Sequence, residues 1–216
     1  MATDRLPLSR DRIIQAALAR VDEGGMHALT MRGLGQQLGF EAMSLYNYVE
    51  NKDDVIDGML DAVLAEGRPP APDGDWATAI RESAISVHDA LQQHPWALRL
   101  LLEPSRIRPA RLHYMDSLLG RLREAGFSAE LTYTAYHVLD AHILGFSLWE
   151  SAHTFTGVDP ADMQRTIEQV FESGAYPHLR EHAQQHYDEG PHREVSAFEL
   201  GLDLIIDGLK KMHDGA

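Results

Sequence analysis

Residues 30–48, TMRGLGQQLGFEAMSLYNY, decide the fold of this chain. Thr30 can cap a helix over about 31–38, whose leucines recur at helical spacing. Gly39 supplies a residue without a Cβ where the chain must turn, and a second short helix follows over about 42–48. Two short helices joined by a tight turn predict a helix-turn-helix, in which the second helix presents its side chains to the DNA major groove.

Helical spacing continues on both sides of this motif. Asn51 can cap a further helix over about 52–66, and the run RPPAPDGD at residues 68–75 has the proline and glycine content typical of a boundary. We therefore predict a helix-turn-helix DNA-binding domain over residues 1–66 and a second helical domain over residues 76–216.

The second domain consists of amphipathic runs, and no strand alternation extends over a useful length. These runs lie near residues 76–94, 95–103, 108–125, 129–153, 160–173, 177–187 and 194–212. The segment HYDEGPHR, residues 186–193, is predicted to be a loop. These patterns predict an all-α fold.

The charge of the chain is unevenly distributed. The 216 residues carry a formal net charge of −14, yet residues 1–52 hold six basic and six acidic side chains. A neutral N-terminal part followed by an acidic remainder suits a protein that contacts phosphates only with its N-terminal part. The chain has no cysteine, which excludes disulfide scaffolds, cysteine-ligated zinc and thiol nucleophiles. Neither a membrane-spanning apolar run nor a signal peptide is visible, so we expect a cytoplasmic protein with no membrane partner.

The segment LTMRGLGQQLGFEAMSLYNYVENKDDVIDGML, residues 29–60, resembles the DNA-binding signature of the TetR family of transcriptional regulators. Its most specific part is SLYNYVENKDDV, residues 44–55, and the rest of the chain is similar to the tetracycline-repressor-like C-terminal group. The resemblance implies an N-terminal three-helix helix-turn-helix domain followed by a larger helical ligand-binding and dimerisation domain. One departure is Gly33 and Gly35 in the second helix, where an alanine-like residue is usual at the second position. Each glycine costs up to about 1 kcal/mol of helix stability.

The resemblance also implies how the protein would contact double-stranded operator DNA. Arg32 would read a guanine edge or bind a phosphate from the second helix. The residues that would face the major groove are Ala42, Met43, Ser44 and Asn47, and those that would bind phosphates are Thr30, Tyr46, Tyr48 and Lys52. The alternative for Tyr46 and Tyr48 is a place in the core.

The last helix carries a heptad-like apolar seam with alternating spacings of three and four residues. Its members are Val195, Phe198, Leu202, Ile205, Leu209 and Met212. Gly201 and Gly208 lie seven residues apart and would let another backbone approach closely. Because similar helices in the family pair across a two-fold axis, we expect a homodimer through residues 129–153 and 194–212. The alternative is that the seam packs within one subunit.

A small-molecule effector is expected in the second domain. Tetracycline-binding members of the family place a metal-ligating histidine in the stretch that matches residues 99–104, which here reads RLLLEP, and Glu150 matches a position where a carboxylate supports that metal. Since the histidine is missing, we expect an apolar or aromatic effector, with no metal and no cofactor. The candidate lining residues are Val87, Trp96, Leu100, Leu101, Met115, Leu118, Leu122, Tyr133, Tyr136, His137 and Phe171. Core packing is the alternative for each residue taken singly.

Two groups of polar residues leave function and structure open as alternatives. The first group is His178, His182 and His186. They are spaced four apart, as metal ligands on a helix often are, but they lie among polar residues typical of a solvated face. The second group is His137, Asp140 and His142. These residues either line a pocket or satisfy one another within the helical body.

The whole pattern predicts a ligand-responsive transcriptional repressor that binds a palindromic operator as a dimer and is released by a small apolar or aromatic effector. An enzyme is disfavoured because the chain has no nucleophile elbow, no glycine-rich phosphate loop and no His-Glu-x-x-His motif. The alternative function is that of a helical interaction module that does not bind DNA.

Overall fold

The structure is a computed structural model that describes residues 7–103, 108–154, 174–188 and 196–215, together with residues 165, 168 and 171. Every regular element in these ranges is a helix, which confirms the all-α expectation. The helices are α1 (Arg10–Gly24), a short 3-10 helix (Met26–Ala28), α2 (Met31–Leu38), α3 (Ala42–Leu45), α4 (Lys52–Glu66), α5 (Trp76–Gln93), α6 (Pro95–Leu101), α7 (Pro109–Glu124), α8 (Ala129–Thr154), α9 (Pro177–Asp188) and α10 (Ala197–Asp214).

Two boundaries differ from the sequence prediction. Helix α3 ends at Leu45 and not at 48, because the backbone N–H groups of Asn47 and Tyr48 bond to carbonyls three residues back, at Ser44 and Leu45, and so form tighter turns. Helix α9 extends to Asp188, so the loop expected from residue 186 does not begin there. The helix expected over 160–173 lies outside the described residues, apart from the three single positions.

Side-chain caps fix where the helices that surround the turn begin. Thr30 Oγ1 accepts a hydrogen bond from the backbone N–H of Gly33 at 3.0 Å, and Asn51 Oδ1 accepts one from Asp54 at 3.0 Å. Between them Gly39 has φ 77°, a left-handed conformation that side chains with a Cβ rarely adopt. The turn is therefore set by residues within the motif itself.

Helix α4 lies between the two parts of the chain, which we call the head (residues 10–66) and the body (residues 76–215). It packs against α1 of the head and against α5 and α7 of the body. Its fully buried side chains are Val55, Met59, Leu60 and Val63. Helix α4 is therefore buried from both sides and joins the packing of the head to that of the body.

The linker between head and body is held by hydrogen bonds from the body. Ser83 Oγ donates to the Arg68 carbonyl at 2.7 Å, and Ser86 Oγ accepts from the Arg68 backbone N–H at 3.1 Å. Arg121 donates to the carbonyl of Gly74 at 2.6 Å. The proline- and glycine-rich boundary is thus fixed at both of its ends.

Helix α10 presents much of its predicted seam to its own chain. Phe198, Leu202 and Leu209 are at most 2% exposed and belong to the core that α10 shares with α5 and α8. Gly201 also faces inward, because a Cβ on it would lie 2.6 Å from Cε1 of His142. The expectation that these four positions face a second subunit is therefore wrong. An apolar seam is satisfied equally well by a neighbouring helix of the same chain.

The opposite face of α10 is apolar and uncovered in the single chain. Leu200, Leu204 and Met212 are exposed, and nothing lies within 4 Å of a Cβ built on Gly208. Ile205 is half-buried at the edge of this face, and Val195 lies outside the described residues.

Candidate functional site

The short helix α3 stands on the surface of the head and is anchored by one residue. Leu45 is fully buried, whereas the side chain of Met43 is 76% exposed. Ala42 and Ser44 are half-buried, and Asn47 is exposed in the turn that follows. An exposed edge on a fixed base is the arrangement that a recognition helix needs to enter a groove.

The predicted phosphate-binding residues surround this edge. Tyr46 and Tyr48 are both exposed, so the alternative that they are core residues is wrong. Lys52 is exposed at the first position of α4, where the helix dipole and the free N–H groups attract anions. Arg32 is exposed on α2. Thr30 is exposed as well, although its hydroxyl oxygen already accepts the capping bond described above.

The two glycines of α2 have different neighbours. A Cβ on Gly35 would lie 2.8 Å from the carbonyl oxygen of Phe40 and 3.1 Å from the backbone nitrogen of Ala42. A Cβ on Gly33 would instead meet side-chain atoms, the guanidinium of Arg20 at 2.7 Å and Thr30 Oγ1 at 2.9 Å. Gly35 therefore lets the backbone before α3 pass directly across α2, which explains the departure from an alanine-like residue.

Eight of the predicted pocket residues belong to the hydrophobic core or pack against it. Val87, Leu118, Leu122 and Tyr136 are buried in the core, and Met115, Leu100, Leu101 and Phe171 are half-buried. Tyr133 and His137 are exposed on α8, where their rings contact each other. Trp96 points toward the head, as described below. The structure therefore divides the expected cluster among the core, the surface of α8 and the junction with the head.

An open cavity of about 240 Å³ lies elsewhere, between α4, the linker and α7. Its lining residues are Asp61, Leu64, Ala65, Gly67, Pro69, Ala110, His113, Tyr114 and Ser117. None of the residues expected to line the effector pocket contributes to it.

A buried polar cluster joins α5, α8 and α10 in the body. His88 Nδ1 lies 2.8 Å from Ser147 Oγ, its Nε2 lies 3.1 Å from a Glu150 oxygen, and its ring stacks on Phe198 at 3.9 Å. Gln92 donates to the same Glu150 oxygen at 2.6 Å. Burial lowers the pKa of His88, and it raises the pKa of Glu150. Both side chains are thus driven toward their neutral forms.

The residues His137, Asp140 and His142 each have a hydrogen-bond partner in the body, although Oδ1 of Asp140 is buried without a partner among the described residues. Asp140 accepts from Arg111 at 2.5 Å, and His142 Nε2 lies 2.9 Å from the carbonyl oxygen of Phe198. His137 Nδ1 lies 2.8 Å from the carbonyl oxygen of Tyr133 on its own helix. These three residues do not satisfy one another, so that alternative is wrong, and a place in a pocket stays a prediction.

The second group of histidines lies on α9. His178 and His182 are exposed, and the side chain of His186 lies outside the described part of the structure. No three His, Asp or Glu side chains among the described residues are grouped so that they could hold a metal ion.

A joint between head and body was not predicted from the sequence. Asp22 on α1 accepts the indole N–H of Trp96 at 2.8 Å, and the same oxygen lies 2.8 Å from His94 Nδ1. The other nitrogen of His94, Nε2, lies 3.2 Å from a carboxylate oxygen of Glu66 at the end of α4. These residues are 28 to 74 positions apart in the sequence, so no local pattern signals the contact.

The body matches a known family over most of its length. Residues 68–213 match the model of the tetracyclin repressor-like C-terminal domain. The chain belongs to the TetR family. Among the described residues of this TetR family protein, none of the helices is long and apolar enough to cross a membrane.

Relatives of this TetR family protein are themselves repressors by name. The chain is 30% identical over 213 residues to the HTH-type transcriptional repressor DrrR1 of Streptomyces coeruleorubidus, covering 94% of this chain and 77% of that one. It is 32% identical over 209 residues to the tetracycline repressor protein class A from transposon 1721 of Escherichia coli, covering 94% and 91%. The crystal structure of the TetR family protein ActR of Streptomyces coelicolor in complex with actinorhodin matches with a TM-score of 0.69, 28% identity and coverage of 96% and 99%.

Proposed function

We propose that this protein binds a palindromic operator as a homodimer and represses transcription until a small apolar or aromatic effector releases it. The observation that carries the proposal is the exposed edge of α3, from Met43 to Asn47, on a helix anchored by the fully buried Leu45. In this proposal residues 1–66 form the DNA-binding domain and residues 76–216 the effector-binding and dimerisation domain.

The proposed contacts follow from position and chemistry. Ala42, Met43, Ser44 and Asn47 face base edges, and Arg32 reads a guanine or binds a phosphate. Thr30, Tyr46, Tyr48 and Lys52 bind phosphates, which fix the register of the protein on the duplex. Exposure of both tyrosines and of Lys52 beside the N-terminus of α4 supports this division.

The proposed dimer interface combines α8 and α10, residues 129–153 and 194–212. Three large apolar side chains of α8, Tyr133, Leu148 and Trp149, are exposed in the single chain, and so are Leu200 and Leu204 of α10. Leu204 is 67% exposed although it lies in the middle of its helix. Exposed apolar faces of this kind mark interaction surfaces. They support a four-helix arrangement across a two-fold axis, with Gly208 at the point of close approach.

The class of effector is proposed from the stretch at residues 99–104 and from one relative. RLLLEP offers no metal-ligating histidine there, and ActR is similar to this chain over nearly its whole length and has been crystallised with actinorhodin. In this proposal the effector favours a state of the body in which the two heads stand at the wrong spacing for successive major grooves. By linkage, the effector must then bind the operator complex more weakly, by the same factor as it weakens operator binding.

DNA binding tests the proposal directly. Fluorescence anisotropy is measured with a duplex from upstream of the protein's own gene and with a duplex of the same composition in scrambled order. We expect a preference of at least about 100-fold for the first duplex. Asn47→Ala should reduce that preference by about 10- to 100-fold, whereas Gln93→Ala, an exposed change on the body, should not.

Equal and weak binding of both duplexes would favour the interaction module that does not bind DNA. We propose that the protein is not an enzyme, because the relatives reported above are named as repressors. In this proposal the protein acts in the cytoplasm, where operator DNA is found.

A further inference from the structure

We propose that His94 is a protonation-dependent joint that ties the head to the body, and that the charge of its ring sets how firmly the head is held. The proposal rests on the positions of the imidazole and of two carboxylates, Asp22 and Glu66. Its consequence for operator binding rests on the proposed function, whereas the joint itself can be tested without DNA.

The backbone holds the imidazole in place. His94 is the residue at which α5 ends and α6 begins, its N–H bonds to the carbonyl of Ala90, and its own carbonyl accepts from Ala97. Pro95 follows at the first position of α6. The side chain of His94 is only 12% exposed. The ring therefore belongs rigidly to the body, at the end of two helices.

Both carboxylates that face the ring belong to the head. Asp22 comes from α1 and lies 2.8 Å from Nδ1, and Glu66 ends α4 and lies 3.2 Å from Nε2. The indole of Trp96, on α6, donates to the same Asp22 oxygen and meets the imidazole edge-to-face at 6.1 Å. These are the charged and polar groups that contact the ring from α1, α4 and α6 in the described part of the chain.

Whether both contacts of the His94 ring are hydrogen bonds depends on the charge of the ring. A neutral imidazole has one N–H donor and one acceptor nitrogen, and an ionised carboxylate only accepts. Both contacts can therefore be hydrogen bonds at the same time only when both ring nitrogens carry hydrogen. When the ring loses its proton, one nitrogen lone pair faces a carboxylate lone pair. That contact becomes repulsive and opens unless the carboxylate itself takes up a proton.

The geometry indicates which of the two hydrogen bonds of His94 breaks first. The Asp22 contact is the shorter of the two, and Asp22 also accepts from the indole N–H of Trp96, so this carboxylate stays bonded to the body when the ring is neutral. The contact between His94 and Glu66 is longer. Because the Glu66 side chain is about half-exposed, water can replace the imidazole as its hydrogen-bond partner. Loss of the proton therefore breaks the Glu66 side-chain bond first, whereas the Glu66 carbonyl still accepts from Ser86 Oγ of the body at 3.2 Å. Because α4 directly follows the recognition motif, a looser hold on its C-terminal end permits the head to tilt.

The experiment measures the position of the head within one subunit. The chain has no cysteine, so Glu41→Cys on the head and Asp116→Cys on the body, both exposed positions, give a pair of unique spin-label sites. The doubly labelled protein is diluted with unlabelled protein so that each dimer holds at most one labelled subunit. Distances are recorded by pulsed electron resonance at about pH 5.5 and about pH 8.5, on either side of the range in which histidine changes charge.

We expect a single distance at the lower pH and a second population at the higher pH, with the ratio of the two changing about three- to tenfold. Glu66→Gln should abolish this response and keep the single distance at both pH values, because an amide can donate to the neutral ring. His94→Ala should show the second population at both values. Asp61→Asn, which removes an exposed charge from the same helix, is the matched control and should leave the response intact.

A pH response that persists in Glu66→Gln would overturn the proposal, and so would identical distributions at both pH values in the unsubstituted chain. Failure of the proposed function would give a different result from failure of the joint. A protein that binds no DNA still reports the head-to-body distance, whereas a flat response with intact operator binding rejects the joint alone.

Discussion

His142 fills the space beside Gly201, where the ring would lie 2.6 Å from an added Cβ. The ring cannot easily retreat, because its Nε2 lies 2.9 Å from the carbonyl oxygen of Phe198 and it stacks on the Phe198 ring. Gly201→Ala should therefore destabilise the protein by about 1–3 kcal/mol through overpacking. The free energy of unfolding in urea measures this. Gly120→Ala, in open space on α7, is the control and should be neutral or stabilising by up to about 1 kcal/mol.

The two glycines of α2 should respond differently to alanine. Gly35→Ala pushes a Cβ into the backbone of Phe40 and Ala42, so we expect a loss of about 2 kcal/mol or more and weaker operator binding. Gly33→Ala meets side-chain atoms, chiefly the guanidinium of Arg20, and should change stability by less than half as much, because a side chain can shift more easily than the backbone. Thermal unfolding of the two variants side by side gives the comparison, and an equal loss in both would contradict the assignment of Gly35 as the packing glycine.

Lys52 should contribute to affinity without regard to sequence. Lys52→Ala removes one phosphate contact, so binding to operator and to random duplex should weaken alike, and the dependence of log K on log salt should flatten by about one unit. Arg180→Ala removes an exposed cation from α9 and is the control. A salt slope that stays unchanged in Lys52→Ala would remove this residue from the proposed phosphate contacts.

Gly208 should control assembly without affecting the fold of the single chain. A Cβ there meets nothing within 4 Å, so Gly208→Leu leaves the subunit core untouched and should push the proposed partner helix away. Sedimentation is expected to show monomers for this variant and dimers for Gly120→Leu, the same change in open space on α7. An intact dimer in Gly208→Leu would contradict the proposed interface.

His88 should make the protein less stable in mild acid. Burial and the nearby His142 lower the pKa of His88, against an opposing effect of Asp89, so the unfolded chain takes up a proton before the folded one does. The stabilising contribution is complete above the ordinary histidine value of about 6.5 and is lost as the pH falls from there toward the lower folded pKa. Each proton contributes a slope of at most about 1.4 kcal/mol per pH unit.

The measurement compares urea unfolding at several pH values for the unsubstituted protein and for His88→Gln, which can still bond to Ser147 and Glu150 but does not titrate. The acid slope should be smaller in this variant. His113→Gln, at an exposed position, should leave the slope unchanged. If all three proteins lose stability in parallel, the acid sensitivity arises elsewhere.

Features that depend on a few neighbouring residues could be predicted from the sequence. Thr30, Gly39 and Asn51 act on backbone groups within three residues or at a turn, and all three do in the structure what their positions suggest. The spacing of apolar residues gave the helices of the body in the same way, because the helical period is a local property.

Features that depend on distant partners could not be predicted. The apolar residues of α10 predict that another helix packs on it, but they do not tell whether that helix belongs to the same chain. In the structure Phe198 and Leu202 pack inside the subunit, whereas Leu200 and Leu204 are exposed. Trp96 looks like a pocket residue by type, yet its bond to Asp22 is set by how α6 meets α1. Only the assembled helices decide such questions.

In the proposed repressor, a small rotation of helix α4 would produce a larger displacement at its far end. Its 15 residues span about 22 Å, so a rotation of roughly 5° about its C-terminal end would move the other end by about 2 Å. Two heads that swing in opposite directions would change their separation by about 4 Å, against the 34–36 Å between successive major grooves. A displacement of that size misaligns both reading edges, while every helix of the head keeps its own hydrogen bonds. An effector would therefore need to cause only a small rotation of α4, and no helix of the head would have to unfold.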